Sequence, residues 1–214
     1  MLALYATALS ANARKPMAVA HHLALELDLH RVNVYRGEGM APEFRAISPL
    51  AKVPALVDGE LRLFESNAII QYLAEGPGGG RLTSDDPALR ADIARWMFWE
   101  ASHWQPELTP VLAPIVAHGL GVAPAPSAPA SWDAAALAPH LALLDDHLQG
   151  RDWLVADALS LADFAVAGMT TYFRYARFPF DAYPALAAWH ARVEALPAWR
   201  ATATEPWSTS GDPH

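Results

Sequence analysis

The sequence predicts a small α/β domain followed by an all-helical domain. Over the first 76 residues, short apolar runs alternate with amphipathic segments, whereas the patterned segments that follow have helical spacing. Four glycines and one proline over residues 76–80 separate the two parts. We therefore expect an α/β domain over 1–76, a linker over 77–86 and a helical domain over 87–214.

The first domain is predicted to begin as a βαβ unit. Leu2–Ala6 is a short apolar strand, and residues 13–29 have the spacing of an amphipathic helix. Residues 30–35 alternate as a second strand, and the Asp58-Gly59 dipeptide indicates a hairpin turn. The remaining elements are a short helix over 42–47, strands over 53–57 and 60–64, and a helix over 65–75.

The second domain is predicted to be a helical bundle. Its helices extend over 87–118, 133–149, 161–176, 184–195 and 197–204. Pro106, Pro110 and Pro114 lie four residues apart in the first of these. Each proline removes a backbone hydrogen bond, so this helix should kink or end there.

Composition excludes several classes of protein. The chain has 15 basic and 23 acidic residues, a net charge of −8, and an acidic surface repels phosphate backbones, so we expect no nucleic-acid partner. There is no cysteine, which excludes a disulfide scaffold and fits a cytoplasmic location. No apolar run reaches the roughly 18 residues of a membrane span. The His21-His22 pair lacks the spacing of a metal site, and none is expected.

A polar turn follows the first predicted strand. Ser10 and Asn12 lie at the positive end of the first helix, where a hydroxyl group either donates to a thiolate brought by a ligand or caps the helix. No Gly-x-Ser-x-Gly elbow surrounds Ser10, so it is not a hydrolase nucleophile. Lys15 and Lys52 are the only lysines, and both are expected beside this site.

Two further segments border the strands. A proline that opens a strand, as in Val53-Pro54, is compatible with a cis peptide bond that leaves the N–H and C=O of Val53 free to pair with an extended peptide. An ordinary edge strand explains the same residues. Glu65 and Ser66 lie at a helix start that either binds a carboxylate and an amine or is simply capped by Ser66.

In their order and spacing these segments resemble the glutathione transferases. The Lys-Val-Pro and Glu-Ser-x-Ala-Ile motifs carry the resemblance, and Ser160-Leu161-Ala162-Asp163 is similar to a capping box of that family. The resemblance covers nearly the whole chain and points to serine-type, bacterial-like members. It implies a thioredoxin-like domain, a helical domain and usually a homodimer.

The resemblance also implies how glutathione is bound. Val53, beside Pro54, corresponds to the backbone partner of the glutathione cysteine, and Glu65 and Ser66 correspond to binders of the γ-glutamyl end. Lys52 is the candidate for the glycine carboxylate, because the loop over 36–41 lacks the histidine that serine-type members often carry there.

The thiol-activating group has three candidates. Ser10 corresponds to the hydroxyl that stabilises the glutathione thiolate, and Asn12 is within reach if the turn is tight. Tyr5 is an alternative because some members use a tyrosine on the first strand, although tyrosine also packs well within a sheet.

The helical domain is expected to bind the second substrate. Trp99, His103 and Trp104 belong to an aromatic stretch that either forms a wall for a small hydrophobic electrophile or packs in the core or a dimer interface. The resemblance implies a detoxification-type transferase with glutathione as co-substrate and no metal. A non-catalytic glutathione-binding or ligand-binding relative, a glutathione-dependent isomerase, dehalogenase or peroxidase, and an interaction module are the alternatives.

Overall fold

The computed structural model describes residues 1–7, 10–119 and 121–203 of the chain. The strands are β1 (Leu2–Ala6), β2 (Leu27–Arg31), β3 (Ala55–Asp58) and β4 (Leu61–Phe64). The α-helices are α1 (Ala11–Leu23), α2 (Pro42–Arg45), α3 (Ser66–Glu75), α4 (Pro87–Trp99), α5 (Gln105–Gly119), α6 (Ala138–Leu148), α7 (Leu161–Thr170), α8 (Pro184–Ala195) and α9 (Pro197–Ala201). The predicted α/β unit followed by an all-helical unit is confirmed.

The described residues divide into two compact units. The first contains Met1–Arg90 together with Leu196–Ala203, and the second contains Ala91–Ala195. The sequence-based limits at 77–86 stay a prediction. The last 11 residues of the predicted helical domain, 204–214, lie outside the described residues.

A mixed sheet of order β2-β1-β3-β4 forms the centre of the first unit. β1 pairs in parallel with β2, and β3 pairs antiparallel with both β1 and β4. Gly59, at φ +57°, makes the predicted hairpin turn between β3 and β4. Leu4 and Leu56 are fully buried at the middle of the sheet.

The first helix is shorter than the sequence predicted. It ends at Leu23, not at residue 29, because Ala24 adopts a left-handed conformation (φ 56°) and Leu25 N–H donates back to the Ala20 carbonyl. The second strand then begins at Leu27, three residues earlier than predicted. The sequence has no glycine at this helix end. The prediction therefore followed the apolar spacing alone and placed the end of the helix too far along the chain.

The short helix α9 packs against α1 within the first unit. Arg14 is buried, and its Nη2 donates to the Trp199 carbonyl at 2.8 Å while its guanidinium lies 4.1 Å from the centre of the Trp199 ring. This contact holds α9 against α1, the helix that contains the predicted site residue Asn12.

A π-helical turn interrupts the predicted helix over 87–118. The turn covers Glu100–Trp104, and Pro106, which has no N–H to continue the ladder, follows two residues after its end. The helix does not end at Pro110 or Pro114, both of which lie inside α5. The predicted helices over 133–149 and 161–176 are also shorter, at Ala138–Leu148 and Leu161–Thr170. None of the helices in the described ranges is long and apolar enough to cross a membrane.

A buried carboxylate holds the start of α7. The reciprocal capping bonds between Ser160 and Asp163 are both present, as predicted. Asp163 Oδ1 also accepts from Leu154 N–H at 3.0 Å and from Trp189 Nε1 at 2.9 Å. Burial raises the pKa of the Asp163 carboxyl, whereas the N–H donors of Leu154, Trp189 and Ser160 lower it. One side chain thus links the loop before α7, the helix itself and α8.

We predict that Asp163→Asn lowers the free energy of unfolding by about 2–4 kcal/mol, because an amide nitrogen cannot accept from these donors and leaves at least one of them buried and unpaired. Urea titration of the variant and of Asp157→Asn, whose side chain is exposed, measures the difference. Equal unfolding midpoints for the two variants would contradict this role.

Candidate functional site

The strand register brings three predicted site segments to one end of the sheet. Tyr5, next to the last residue of β1, is paired with Ala55, the first residue of β3. Ala55 is paired on its other side with Phe64, the last residue of β4. Three segments therefore lie at this end of the sheet, which we call its site edge or simply the edge. They are the turn after β1, the Val53-Pro54 dipeptide before β3 and the Glu65-Ser66 dipeptide after β4.

Ser10 caps the first helix. Its backbone is extended (φ −96°, ψ 117°), and its Oγ accepts from Ala13 N–H at 3.2 Å. The hydroxyl oxygen is used as an acceptor here, so its hydrogen stays available for donation. The capping role that the sequence allowed for Ser10 is present, and it is compatible with donation to a ligand.

Val53 and Pro54 form the central segment. Their peptide bond is cis, and both residues are buried. Strand pairing starts only at Ala55, and within the described ranges the N–H and C=O of Val53 take part in no backbone hydrogen bond. An extended peptide laid along this edge would find one donor and one acceptor.

Glu65 has a strained backbone. Its φ is 73° and its ψ is 113°, a region that side-chain-bearing residues rarely adopt, and its side chain is exposed. The carbonyl of Glu65 starts the α3 hydrogen-bond ladder by accepting from Ile69 N–H. This backbone conformation places an exposed carboxylate directly before the amino end of a ten-residue helix.

Ser66 does not cap α3, so the capping alternative is wrong for this residue. It is the first residue of the helix and is buried, and within the described chain the start of α3 has no side-chain cap. Its Oγ instead lies 3.4 Å from Asn12 Oδ1 and 3.4 Å from Lys15 Nζ. These contacts join the amino-terminal turns of α1 and α3, and they bring Asn12 and Lys15 next to Ser66.

The sequence did not indicate that Asn67 lies beside Lys15. Its Oδ1 lies 3.3 Å from Lys15 Nζ, so the first two residues of α3 both contact the same cation. Its position beside Ser66 was the only available signal, and a polar residue in the first turn of a helix is too common to single out.

Lys52 lies on the surface at the same edge. Its side chain is exposed, and its carbonyl is held by the Ser48 hydroxyl at 2.8 Å. Gly39 in the preceding loop passes so close to the Ala51 carbonyl that a Cβ there would lie 2.6 Å from the oxygen. The loop over 36–41 therefore packs tightly against the segment that presents Lys52.

Tyr5 packs inside the first unit. Its ring stacks on His30 at 4.7 Å and packs against the buried cluster that contains Phe44 and Val53. The side chain contributes to the core on one side of the sheet, which is the packing role that the sequence allowed for it.

The three predicted second-substrate residues form an aromatic group in the helical unit. Trp104 is fully buried, stacks on Trp99 at 5.4 Å and donates its indole N–H to the Val166 carbonyl. His103 is exposed and stacks on His140 at 5.7 Å. Trp99 and His103 thus have accessible surface, whereas Trp104 supports them from within the core.

No group of three or more His, Cys, Asp or Glu residues in the described part of the chain is arranged to hold a metal ion.

The first unit is thioredoxin-like, with a cis-proline before its third strand, and an all-helical unit follows it. This combination defines the class of thioredoxin-like proteins with an added helical domain. Comparison with known proteins identifies the family within this class. Residues 1–75 match the family model of the glutathione S-transferase N-terminal domain, and residues 133–197 match that of the C-terminal domain. The chain belongs to the glutathione S-transferase family, as its sequence motifs predicted.

Individual relatives agree with this assignment. Glutathione S-transferase 3 of Zea mays is 31% identical over 94% of this chain and 92% of its own. The disulfide-bond oxidoreductase YfcG of Escherichia coli is 31% identical over 87% of each chain. A delta-class glutathione transferase of Nilaparvata lugens superposes with a TM-score of 0.83 at 25% identity, covering 96% of this chain and 94% of its own.

We predict that Glu65→Gly raises the free energy of unfolding by about 1 kcal/mol, because glycine adopts the positive φ without strain. The matched change Glu75→Gly, at the last residue of the same helix, should lower it by about 0.5–1 kcal/mol. Urea titration of both variants measures the two signs. A loss of stability in Glu65→Gly would show that the backbone at this position is not strained.

Proposed function

We propose that this protein is a glutathione transferase in which Ser10 activates the glutathione thiol. The observation that carries the proposal is the meeting, at one sheet edge, of a hydroxyl at the start of α1, the Val53 backbone and a carboxylate–hydroxyl pair at the start of α3. Glutathione has a thiol, a peptide backbone and a γ-glutamyl end that match these three segments in order.

Each part of glutathione has a proposed partner. The N–H and C=O of Val53 pair with the cysteinyl backbone as an added strand would. The exposed carboxylate of Glu65 accepts from the γ-glutamyl ammonium, and the Ser66 hydroxyl with the first N–H groups of α3 binds the adjacent carboxylate. Lys52, exposed at the same edge, is proposed to pair with the glycine carboxylate.

The amino end of α1 supplies the proposed thiolate stabilisation. A free thiol has a pKa of about 8.5 and is only a few per cent ionised at neutral pH, whereas the thiolate is the nucleophile. Ser10 Oγ accepts from Ala13 N–H and so keeps its hydrogen for the sulfur. The positive end of the helix dipole adds to this, and together they lower the thiol pKa.

The proposed reaction is a nucleophilic substitution or addition. The glutathione thiol loses its proton to solvent, and the thiolate attacks an electrophilic carbon. A carbon–sulfur bond forms while the leaving group departs with its electron pair, or the electrophile's π electrons move onto a neighbouring atom. Trp99 and His103 are proposed to contact the apolar electrophile, supported by Trp104 beneath them. As is usual in the family, a homodimer is expected.

A second candidate is glutathione-dependent disulfide or peroxide reduction, favoured by the relative named as a disulfide-bond oxidoreductase. The chain has no cysteine, so every sulfur in such a reaction must come from glutathione or the substrate. The products separate the two candidates, since transfer yields a thioether and reduction yields glutathione disulfide.

We predict that Ser10→Ala raises the thiol pKa of bound glutathione by about one to two units. The thiolate loses a charge-assisted hydrogen bond of roughly 1.5–3 kcal/mol in this variant. Ultraviolet difference titration of the thiolate band, with glutathione bound, measures this pKa. In the wild type, the thiol of bound glutathione should ionise well below pH 8.5, which is about the ordinary pKa of a free thiol.

Two control variants accompany Ser10→Ala, and the first tests whether the loss of the α1 cap explains the result. Ser10→Thr keeps a hydroxyl and a cap and should retain most of the shift. Ser131→Ala removes an exposed hydroxyl elsewhere and should behave as the wild type. A wild-type protein that binds glutathione without lowering its thiol pKa would contradict the transferase mechanism and favour the ligand-binding alternative.

A further inference from the structure

Lys15 is a fully buried cation beside the proposed carboxylate site. Its exposed fraction is 0%, although lysine is seldom buried completely. Its Nζ lies 3.4 Å from Ser66 Oγ and 3.3 Å from Asn67 Oδ1. The positive charge is therefore fixed at the amino end of α3, where the helix dipole is also positive.

The contacts of Lys15 determine the direction of the hydrogen bonds at Ser66. An ammonium group has N–H donors and no acceptor, so Ser66 Oγ must accept from Lys15. The single hydrogen of Ser66 is then directed elsewhere, and in the structure it is donated to Asn12 Oδ1 at 3.4 Å. Ser66 therefore has its hydrogen available for any acceptor that replaces Asn12 as its partner.

We propose that Lys15 is a positioning residue that makes this end of the site selective for a carboxylate, an inference that rests on the proposed function. A carboxylate only accepts hydrogen bonds, so it fits the Ser66 hydrogen and the α3 amides. The buried ammonium also attracts an anion more strongly than an exposed one would, because solvent screens it less. The ligand group concerned is the α-carboxylate of the γ-glutamyl residue.

The only other lysine provides a natural contrast. Lys52 is exposed, and its proposed partner is the carboxylate at the opposite end of glutathione. The two lysines thus address different carboxylates of one ligand. Removal of either charge should affect only the ligand group that it faces.

Calorimetric titration with two ligands tests the proposal. One ligand is glutathione, and the other is 4-aminobutyryl-cysteinyl-glycine, which lacks only the α-carboxylate. We expect wild-type protein to bind glutathione at least tenfold more tightly than the analogue, as a charge-assisted hydrogen bond implies. Lys15→Met should lose about tenfold in glutathione affinity and change the affinity for the analogue less than twofold.

Further variants distinguish positioning from structural support. Lys52→Met should weaken both ligands by the same factor, because both retain the glycine carboxylate. Lys15→Gln, which keeps an N–H donor without the charge, should lie between the wild type and Lys15→Met. At saturating glutathione, both Lys15 variants should keep the wild-type thiol pKa and kcat, so the loss appears in KM.

Three results would overturn the proposal. Equal losses for both ligands in the Lys15 variants would show that Lys15 only supports the fold. Equal binding of both ligands by the wild-type protein would show that this end of the site does not select a carboxylate. This result needs no variant, so it would overturn the proposal even if Lys15→Met fails to fold. Wild-type protein that binds neither ligand would instead refute the proposed function, on which this inference rests.

Discussion

The antiparallel pairing of β3 with both of its neighbours is the constraint on which the site depends. β3 begins at the sheet edge where β1 and β4 end, so the chain segments on either side of these strands meet there. Val53 directly precedes the paired residues and keeps its backbone groups for another strand. A shift of the register by one residue would turn every side chain of β3 to the other face and separate these segments.

The helices that follow β1 and β4 give this edge its electrostatic character. Both α1 and α3 begin there, so two positive helix ends point to one place. Lys15 and Ser66 join the two helices, and Lys52 lies at the edge beside them. In a chain with a net charge of −8, these positive groups favour the proposed binding of the two carboxylates of glutathione.

Sequence patterns identified those elements whose signals are local. The Asp58-Gly59 hairpin and the Ser160–Asp163 capping box were predictable because turn geometry and capping chemistry require these residue types. The end of α1 was not, because it depends on Ala24 in a left-handed conformation that glycine usually supplies. The π-helical turn could not be located either, since its five residues have ordinary helix-compatible chemistry. Of the three prolines that predicted a kink, only Pro106 lies next to the turn.

The candidate site residues divide in a similar way. The location of Ser10, Val53 and Glu65 at one edge of the sheet could be predicted because each lies within a few residues of a strand end. The link from Lys15 to Ser66 spans 51 positions and depends on how α1 packs on α3, which periodicity does not specify. For the same reason the capping alternative for Ser66 failed, because tertiary contacts directed its hydroxyl to α1 instead.

The most direct test is a glutathione titration of ¹⁵N-labelled protein, followed through the backbone amide signals. We expect saturable shifts concentrated at Ser10, Val53, Ser66 and Asn67, since these amides lie at one sheet edge and are proposed to surround one ligand. Shifts confined to residues far from this edge, or none at millimolar glutathione, would contradict it.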